Sequence, residues 1–288
     1  MASKIKNIFK ATQKQITTII FDLDNTLIPT RKADSKVIVK VSELLQQKYA
    51  MTRDTAVQST QTFLRAFRRC PDNPSIPLDT WRQHLWTQAL PESHKHLSNE
   101  IYCIWLELRY RYLQMTPELI SLLELLRQTY ILAIITNGPS NAQWEKIQRL
   151  NVNKFFDCVL VSGDLPWEKP AEHIFLACCN YLGVSTQNCV MIGDKLETDI
   201  QGGIDAKLGL TVWLPLNGDS NTNLDNIKPD YTINNLQELL AILPDNSNGN
   251  AKKPNFRTRA NARRVPYNRR VASLPDLESG NSNSSDGS

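Results

Sequence analysis

Two aspartates separated by one residue, Asp22 and Asp24, follow a short apolar segment and have the clearest chemical potential in the sequence. Side chains at positions i and i+2 of a strand share a face, and two neighbouring carboxylates repel each other unless a cation compensates them. This segment is therefore suited to supply a nucleophile, an acid/base group or a metal site. The alternative is that Asp-Leu-Asp-Asn forms an ordinary polar turn after a strand.

A second apolar segment ends at Thr136, Asn137 and Gly138. Glycine lets the backbone approach a ligand closely, and a threonine hydroxyl with the N–H groups that follow it can hold a phosphate oxygen. Thr-Asn-Gly alone is most often a turn. Lys169 follows a third apolar segment at the start of a predicted helix, where its charge would offset carboxylates and a phosphate. Taken singly, a lysine at such a place is more often a surface residue.

A fourth apolar segment ends in Gly-Asp at Asp194, and Asp199 follows five residues later. The first aspartate is placed to enter a metal shell at the end of a strand, and the second to steady that shell from the start of the next helix. This segment repeats the pattern of Asp22 and Asp24, which favours one shared site over four unrelated turns.

The scaffold that must position these residues is an alternation of strands and helices. Short β-rich segments predict strands at 19–21, 131–135, 159–161, 190–192, 210–213 and 231–233. Apolar residues at three- and four-residue spacing predict helices at 117–128, 142–150, 171–182 and 236–243. Uninterrupted apolar strands that alternate with helices predict an α/β fold with a parallel sheet covered on both faces. Ligands of such sheets bind beyond the carboxyl ends of the strands, where the polar residues above lie.

The long segment between Asp24 and the second strand is predicted to be helical, with helices at 35–49, 52–69, 79–89 and 96–114. We predict a core formed by residues 16–30 and 116–244, a helical cap at 31–115, a basic N-terminal extension at 1–15 and a disordered tail at 245–288. A cap over the site would exclude water and select substrates. The alternative is a four-helix unit with no part in catalysis.

The net charge of +4 is distributed unevenly. Residues 251–270 hold eight Lys or Arg and no acid, and residues 271–288 hold three acids and no base, which leaves residues 1–250 with a net charge of −1. The predicted core is therefore not basic, which argues against nucleic-acid binding by the core. The sequence contains no apolar run long enough for a membrane span and no secretory signal, although the lysines of residues 1–15 leave a mitochondrial presequence open.

The composition of the tail, rich in Asn, Ser, Gly, Pro and Arg, predicts disorder. An arginine three residues before Ser273 resembles a site for a basophilic kinase, and the basic stretch is suited to an acidic partner. The alternative is a solvated tail without a partner. The six cysteines show no Cys-x-x-Cys spacing and lie within or beside apolar stretches, so we expect buried, reduced thiols and a cytoplasmic protein.

The four polar segments, taken in order, resemble the four motifs of the haloacid dehalogenase-like (HAD) superfamily. They are Asp-x-Asp-x-Thr, Thr-Asn-Gly, Lys-Pro and Gly-Asp-x-x-x-x-Asp. The resemblance covers residues 16–243 and implies a Rossmann-like core with an inserted helical C1 cap. An aspartate two residues after the nucleophile is typical of the phosphatase branch. The resemblance therefore implies a magnesium-dependent phosphomonoesterase.

By that resemblance, Asp22 attacks phosphorus and forms an aspartyl-phosphate, while Asp24 protonates the leaving alkoxide and then activates water. The implied magnesium ligands are Asp22, the main-chain carbonyl of Asp24, and Asp194, and Asp199 is implied to support the metal without binding it directly. The implied phosphate-binding residues are Thr136, Asn137, Gly138 and Lys169.

Longer stretches, above all 21–28 and 193–203, are similar to the members of this branch that act on N-acylneuraminate (sialic acid) 9-phosphates. Arg111 is the candidate partner for the carboxylate of such a substrate, and the alternative is a surface arginine. Another sugar phosphate or a nucleotide is the alternative substrate, and a catalytically silent HAD fold that binds through its basic tail is the alternative of another class. Pro29 and Lys195 depart from the pattern of these relatives, and their effects stay open, as does the choice between monomer and homodimer.

Overall fold

The computed structural model of the protein describes residues 15–70, 76–216 and 226–243. The predicted N-terminal extension up to residue 14 and the predicted tail at 245–288, including Ser273, lie outside the described residues. The described residues include every residue of the predicted site.

The described residues form one parallel six-stranded sheet with the order β3-β2-β1-β4-β5-β6. Its strands are β1 (Thr18–Phe21), β2 (Ile131–Thr136), β3 (Cys158–Val161), β4 (Cys189–Gly193), β5 (Leu210–Trp213) and β6 (Tyr231–Thr232). Because all six are parallel, their carboxyl ends lie along the same edge. The two central strands β1 and β4 are adjacent, so the segments after Phe21 and Gly193 meet there. The predicted α/β fold is confirmed.

Alternating residues of β1 show that both faces of the sheet are covered. Ile19 and Phe21 belong to one apolar cluster, and Ile20 belongs to another on the opposite face. All four residues of this strand are buried, as expected for a parallel sheet between two layers of helices. The two clusters fix the strand in its register, because a shift by one residue would exchange its faces.

The first four α-helices of the described residues follow β1 and form the predicted cap segment. They are α1 (Thr30–Tyr49), α2 (Arg53–Phe67), α3 (Leu78–Ala89) and α4 (Ser98–Tyr112). Helix α2 begins where the side chain of Thr52 accepts a hydrogen bond from the N–H of Thr55, which is the usual reason for a threonine at this position. The helices share a third apolar cluster, in which the rings of Phe63 and Trp86 stack with centroids 3.9 Å apart. A separate cluster supports the predicted division into core and cap, which itself stays a prediction.

The remaining helices flank the sheet. They are α5 (Pro117–Thr129), α6 (Ser140–Arg149), α7 (Glu172–Leu182), α8 (Gln201–Asp205) and α9 (Leu239–Ile242). A π-helical turn at Leu196–Ile200 precedes α8. Helix α5 begins at Pro117 with the side chain of Thr116 as its N-terminal cap. Helix α7 ends at Leu182, and Gly183 after it has the left-handed conformation common after helices.

The structure differs from the predictions in the bounds of two helices and in the exposure of one cysteine. Helix α1 begins at Thr30, five residues before the predicted start, because Pro29 supplies the fixed backbone that precedes a helix. The predicted helix at 236–243 consists of a 3₁₀ turn, Leu236–Glu238, followed by the short α9. Cys103 is exposed on α4, contrary to the expectation that the cysteines are buried, because it lies on the outer face of that helix. Cys158, Cys178, Cys179 and Cys189 are buried, and no disulfide joins cysteines of the described residues.

None of the helices in the described residues is long and apolar enough to cross a membrane.

Candidate active site

Asp22 lies at the centre of the sheet edge, directly after β1. Its N–H donates to the carbonyl of Ile192 at 2.9 Å and so continues the pairing of β1 with β4 by one residue. This bond fixes the backbone of the aspartate, and its side chain is 9% exposed. Asp22 is therefore a buried carboxylate held by the sheet itself rather than by a mobile loop.

Lys169 provides the positive charge next to Asp22. Its Nζ lies 2.6 Å from Asp22 Oδ1 and 2.7 Å from Asp199 Oδ1, and it donates to the carbonyl of Ile135 at 2.8 Å. Burial alone would lower the pKa of this ammonium, but the two carboxylates outweigh burial and raise the pKa above its ordinary value. Lys169 stays charged and links β1, β2 and the turn after β4.

Three carboxylates, those of Asp22, Asp194 and Asp199, each place an oxygen within 4.8 Å of the others. Lys169 pairs with two of these carboxylates, and Lys195 and Arg31 attract the third, that of Asp194, from nearby. Burial, followed by the repulsion of Asp199, raises the pKa of Asp194 to about 6. Burial also raises the pKa of Asp22, against the attraction of Lys169.

The carboxylate cluster fits a divalent cation. Asp194 Oδ2 is buried and has no hydrogen-bond partner among the described residues, and buried charged oxygens normally have one. The carbonyl of Asp194 is held by the indole N–H of Trp213 at 2.9 Å, so the segment after β4 is fixed before any ligand binds. All the donor atoms are carboxylate oxygens, the type that Mg²⁺ prefers.

Gly193 makes this cluster sterically feasible. A Cβ atom built at Gly193 would lie 2.2 Å from Asp199 Oδ2, well inside contact distance. The same carboxylate oxygen accepts a hydrogen bond from the N–H of Lys195 at 3.0 Å. Asp199 is thus held between the end of β4 and Lys169 as a member of the cluster, and its role in supporting the metal stays a prediction. The side chain of Lys195 is exposed.

The residues predicted to bind phosphate lie at the end of β2, but several of their groups already have protein partners. The side chain of Asn137 and the backbone of Lys169 form a reciprocal pair, with Asn137 Nδ2 donating to the lysine carbonyl at 2.8 Å and the lysine N–H donating to Asn137 Oδ1 at 2.9 Å. Gly138, with φ of 130°, donates its N–H to Ser162 Oγ at 3.0 Å. Thr136 is buried and lies next to these residues. In this arrangement Asn137 positions Lys169, and the role of the four residues in phosphate binding stays a prediction.

Asp24 lies in a different environment from Asp22. Its two carboxylate oxygens lie 2.7 and 2.6 Å from Lys146 Nζ, Gln143 Nε2 donates to Oδ2 at 2.9 Å, and the hydroxyl of Thr30 donates to Oδ1. Burial opposes ionisation, but Lys146, Thr30 and Gln143 together hold the pKa of Asp24 below its ordinary range. The carboxylate of Asp24 is not part of the acidic cluster, so each of the paired aspartates has its own lysine.

Sequence reasoning missed Gln143 and Lys146. Both lie in the predicted helix at 142–150, and their three-residue spacing places them on one face of α6. Both are buried, at 3% and 7% exposure. The available signal was that this helix directly follows the Thr-Asn-Gly segment, which brings its first two turns near the same edge of the sheet.

Arg111, the predicted partner for a substrate carboxylate, is not joined to the cluster by any contact in the described residues. Its side chain is 64% exposed and pairs with Glu107 one turn earlier on α4, at 2.8 Å. Pro29 precedes α1 as its N-terminal cap residue. The substrate roles considered for Arg111 and Pro29 therefore stay predictions without a supporting contact.

The arrangement separates two chemical tasks. One buried carboxylate, Asp22, lies beside an ammonium and a candidate cation site, as nucleophilic attack on a phosphorus atom requires. A second carboxylate, Asp24, is anchored nearby in a pocket of donors. Different environments for two neighbouring carboxylates are how one site assigns them different roles.

Comparison with known proteins agrees with this geometry. The family model of the haloacid dehalogenase-like hydrolases matches residues 16–207. Human N-acylneuraminate-9-phosphatase is 34% identical over 234 residues, covering 80% of this chain and 94% of the relative. Glyceraldehyde 3-phosphate phosphatase of Pyrococcus furiosus is 28% identical over 244 residues, covering 83% and 98%. Among solved structures, the HAD-hydrolase YfnB of Bacillus subtilis bound to magnesium matches with a TM-score of 0.54 and 25% identity, covering 80% and 99%.

Proposed function

Because the chain belongs to the haloacid dehalogenase-like hydrolases and is a phosphatase, we propose that it releases phosphate from an N-acylneuraminate 9-phosphate through an aspartyl-phosphate on Asp22. The observation that carries this proposal is the cluster of Asp22, Lys169, Asp194 and Asp199 at the ends of β1 and β4. It combines a buried nucleophile with the charges that phosphoryl transfer needs.

In the proposed reaction, Asp24, which is ionised before substrate binds, takes up a proton beside the incoming phosphate dianion and gives it to the leaving oxygen while Asp22 attacks phosphorus. Asp24 then takes a proton from the water that hydrolyses the aspartyl-phosphate. Lys169, held by Asp22 and Asp199, stabilises the negative charge of the transferred phosphoryl group. Mg²⁺, held by Asp22 and Asp194 with Asp199 beside them, would supply further charge stabilisation to the phosphate oxygens. The magnesium-bound YfnB structure supports this choice of cation.

The substrate is the finer part of the proposal. N-acylneuraminate-9-phosphatases of three mammals share 33% to 34% identity with this chain over at least nine-tenths of their own length. Glyceraldehyde 3-phosphate phosphatases share less identity over a similar length, so a smaller sugar phosphate is the second candidate.

A panel of phosphate esters tests the substrate. The purified full chain with Mg²⁺ is assayed for phosphate release from N-acylneuraminate 9-phosphate, glyceraldehyde 3-phosphate, glucose 6-phosphate and a nucleoside monophosphate. We expect kcat/KM for the neuraminate ester to exceed that of the others by about tenfold or more, the discrimination that a shaped pocket achieves. A neuraminate ester that ranks below the common sugar phosphates would show that the substrate is wrong.

Removal of one carboxylate tests the cation site. We expect Asp194→Asn to raise the Mg²⁺ concentration for half-maximal activity by about tenfold or more, since loss of a ligand charge weakens the site. Calorimetric titration of Mg²⁺ into the protein gives the same comparison without turnover. Glu197→Gln is the matched control, because it removes an exposed carboxylate from the same segment. Equal Mg²⁺ affinity of Asp194→Asn and the wild type would exclude Asp194 as a ligand.

The basic tail is not needed for this proposal, and an acidic partner or a kinase acting at Ser273 is compatible with it. A silent binding module is not favoured, because the polar residues of all four motifs are present and those of the cluster are in mutual contact. A cytoplasmic location is part of the proposal, supported by buried thiols without a disulfide in the described residues.

A further inference from the structure

Two side chains of α6, those of Gln143 and Lys146, donate hydrogen bonds to the carboxylate of Asp24. They lie 119 and 122 residues after Asp24 in the sequence. They are three residues apart and lie on the same face of the helix. Both are almost completely buried, and burial of a lysine is costly unless a partner compensates its charge. Asp24 is that partner for Lys146, with both oxygens within 2.7 Å.

Lys146 has no second carboxylate among its contacts in the described residues. Lys169, by contrast, is divided between Asp22 and Asp199. The buried ammonium of Lys146 therefore pairs with the carboxylate of Asp24 alone. Since Asp24 stands two residues from Asp22, this separate partner keeps its carboxylate apart from the acidic cluster, where a fourth negative charge would be unfavourable.

Gln143 connects Asp24 to the loop after β2. Its Nε2 lies 2.9 Å from Asp24 Oδ2, 3.0 Å from Thr136 Oγ1 and 2.6 Å from the carbonyl of Asn137. A Cβ atom at Gly138 would lie 3.0 Å from the same nitrogen, so the loop closes tightly around the amide. The carboxylate of Asp24 is thereby held at a fixed place relative to the loop predicted to bind phosphate.

We propose that Gln143 and Lys146 are positioning residues that aim Asp24 at the oxygen of the leaving group. The inference rests on the proposed phosphatase function. In the step concerned, a carboxylate oxygen of Asp22 forms a bond to phosphorus and the phosphorus–oxygen bond of the ester breaks. The electron pair of that bond goes to the leaving oxygen, which receives the proton that Asp24 took up when the substrate bound. Asp24 recovers a proton from the attacking water in the second step, so protons balance over one turnover.

Two esters with different leaving groups separate positioning from a general structural role. An alkyl phosphate leaves as a strongly basic alkoxide and needs the proton of Asp24, whereas p-nitrophenyl phosphate leaves as a stable anion and does not. We expect Lys146→Met to lower kcat/KM for a sugar phosphate by about 30-fold and for p-nitrophenyl phosphate by less than about 3-fold, within the range of acid–base contributions. The parameter kcat/KM is compared because it reports the steps through departure of the leaving group.

Three further variants complete the test. Lys146→Arg retains the charge and should recover most of the loss for the sugar phosphate. Gln143→Leu should show the same dependence on the leaving group as Lys146→Met, and thermal unfolding verifies that each variant is folded. Lys154→Met is the matched control, because it removes an exposed lysine just beyond α6. Should Lys146→Met fail to fold, Gln143→Leu alone decides.

The possible outcomes are distinct. A selective loss for the alkyl ester, with recovery by Lys146→Arg, supports the inference. Equal losses for both esters, or no loss for either, in folded variants of an active wild type would overturn it. A wild type that hydrolyses neither ester would instead contradict the proposed function.

Discussion

Replacement of Asp22 by asparagine is expected to lower kcat by at least about 10⁴-fold, because the variant has no nucleophile to accept the phosphoryl group. The side chain is isosteric, and Lys169 keeps its ion pair with Asp199, so the loss reflects chemistry rather than unfolding. After an acid quench with labelled substrate, the wild type should carry covalent phosphate, and Asp22→Asn should carry none. Both the rate and the covalent label are measured with saturating Mg²⁺.

Two controls accompany this experiment. Asp205→Asn removes an exposed carboxylate at the end of α8 and should leave kcat within about 2-fold, since surface substitutions have small effects. Asp22→Ala excludes recovery of activity by slow deamidation of the introduced asparagine. Wild-type turnover in a folded Asp22→Asn protein would contradict the assignment of the nucleophile.

Replacement of Glu145 by leucine is expected to reduce the free energy of unfolding by about 3–5 kcal/mol, because a buried charge loses its partner. Arg82 is only 1% exposed, and its Nη2 lies 2.6 Å from Glu145 Oε2. Its Nε and Nη1 have no hydrogen-bond partner in the described residues. The carboxylate of Asp79 lies 3.8 Å from Nη1 but is 61% exposed, so it compensates the buried charge only weakly. Arg82 lies on α3 and Glu145 on α6, so the pair joins the predicted cap to the predicted core.

Urea denaturation followed by tryptophan fluorescence measures this effect. Glu43→Leu is the matched control, because Glu43 pairs with Lys40 at a similar distance, 2.7 Å, but both side chains are about half exposed. An exposed pair contributes at most about 1 kcal/mol. The double variant Arg82→Leu/Glu145→Leu should regain much of the lost stability, since it leaves no buried charge. A cost for Glu145→Leu no larger than that for Glu43→Leu would show that Arg82 finds other compensation.

The strands and the order of their polar ends were predictable because both depend on local sequence. Unbroken apolar segments defined the strands, and parallel pairing then required Asp22, Thr136 and Asp194 to lie along one edge. Lys169 was also identifiable, since it occupies a fixed place in a motif. What local sequence establishes is which residues reach the edge of the sheet.

The partners of Asp24 were not predictable in the same way. A helix pattern gives the face on which Gln143 and Lys146 lie but not the rotation of α6 relative to β1, which depends on the packing of the whole layer. The pair of Arg82 and Glu145 depends on how α3 lies against α6, a still longer-range property. The family of the protein was therefore accessible from sequence, whereas the partners of the Asp24 carboxylate required the tertiary structure.

Gly193 influences the electrostatics of the site through its missing side chain, although it carries no charge itself. The carboxylate of Asp199 occupies the space that a Cβ atom at position 193 would take, and it compensates part of the positive charge of Lys169. A methyl group at position 193 would add no charge and remove none, yet it would displace an anion from its cation. A natural substitution of Gly193 should therefore change the electrostatics of the phosphatase, even though glycine is uncharged. A comparison limited to charged residues would overlook this effect.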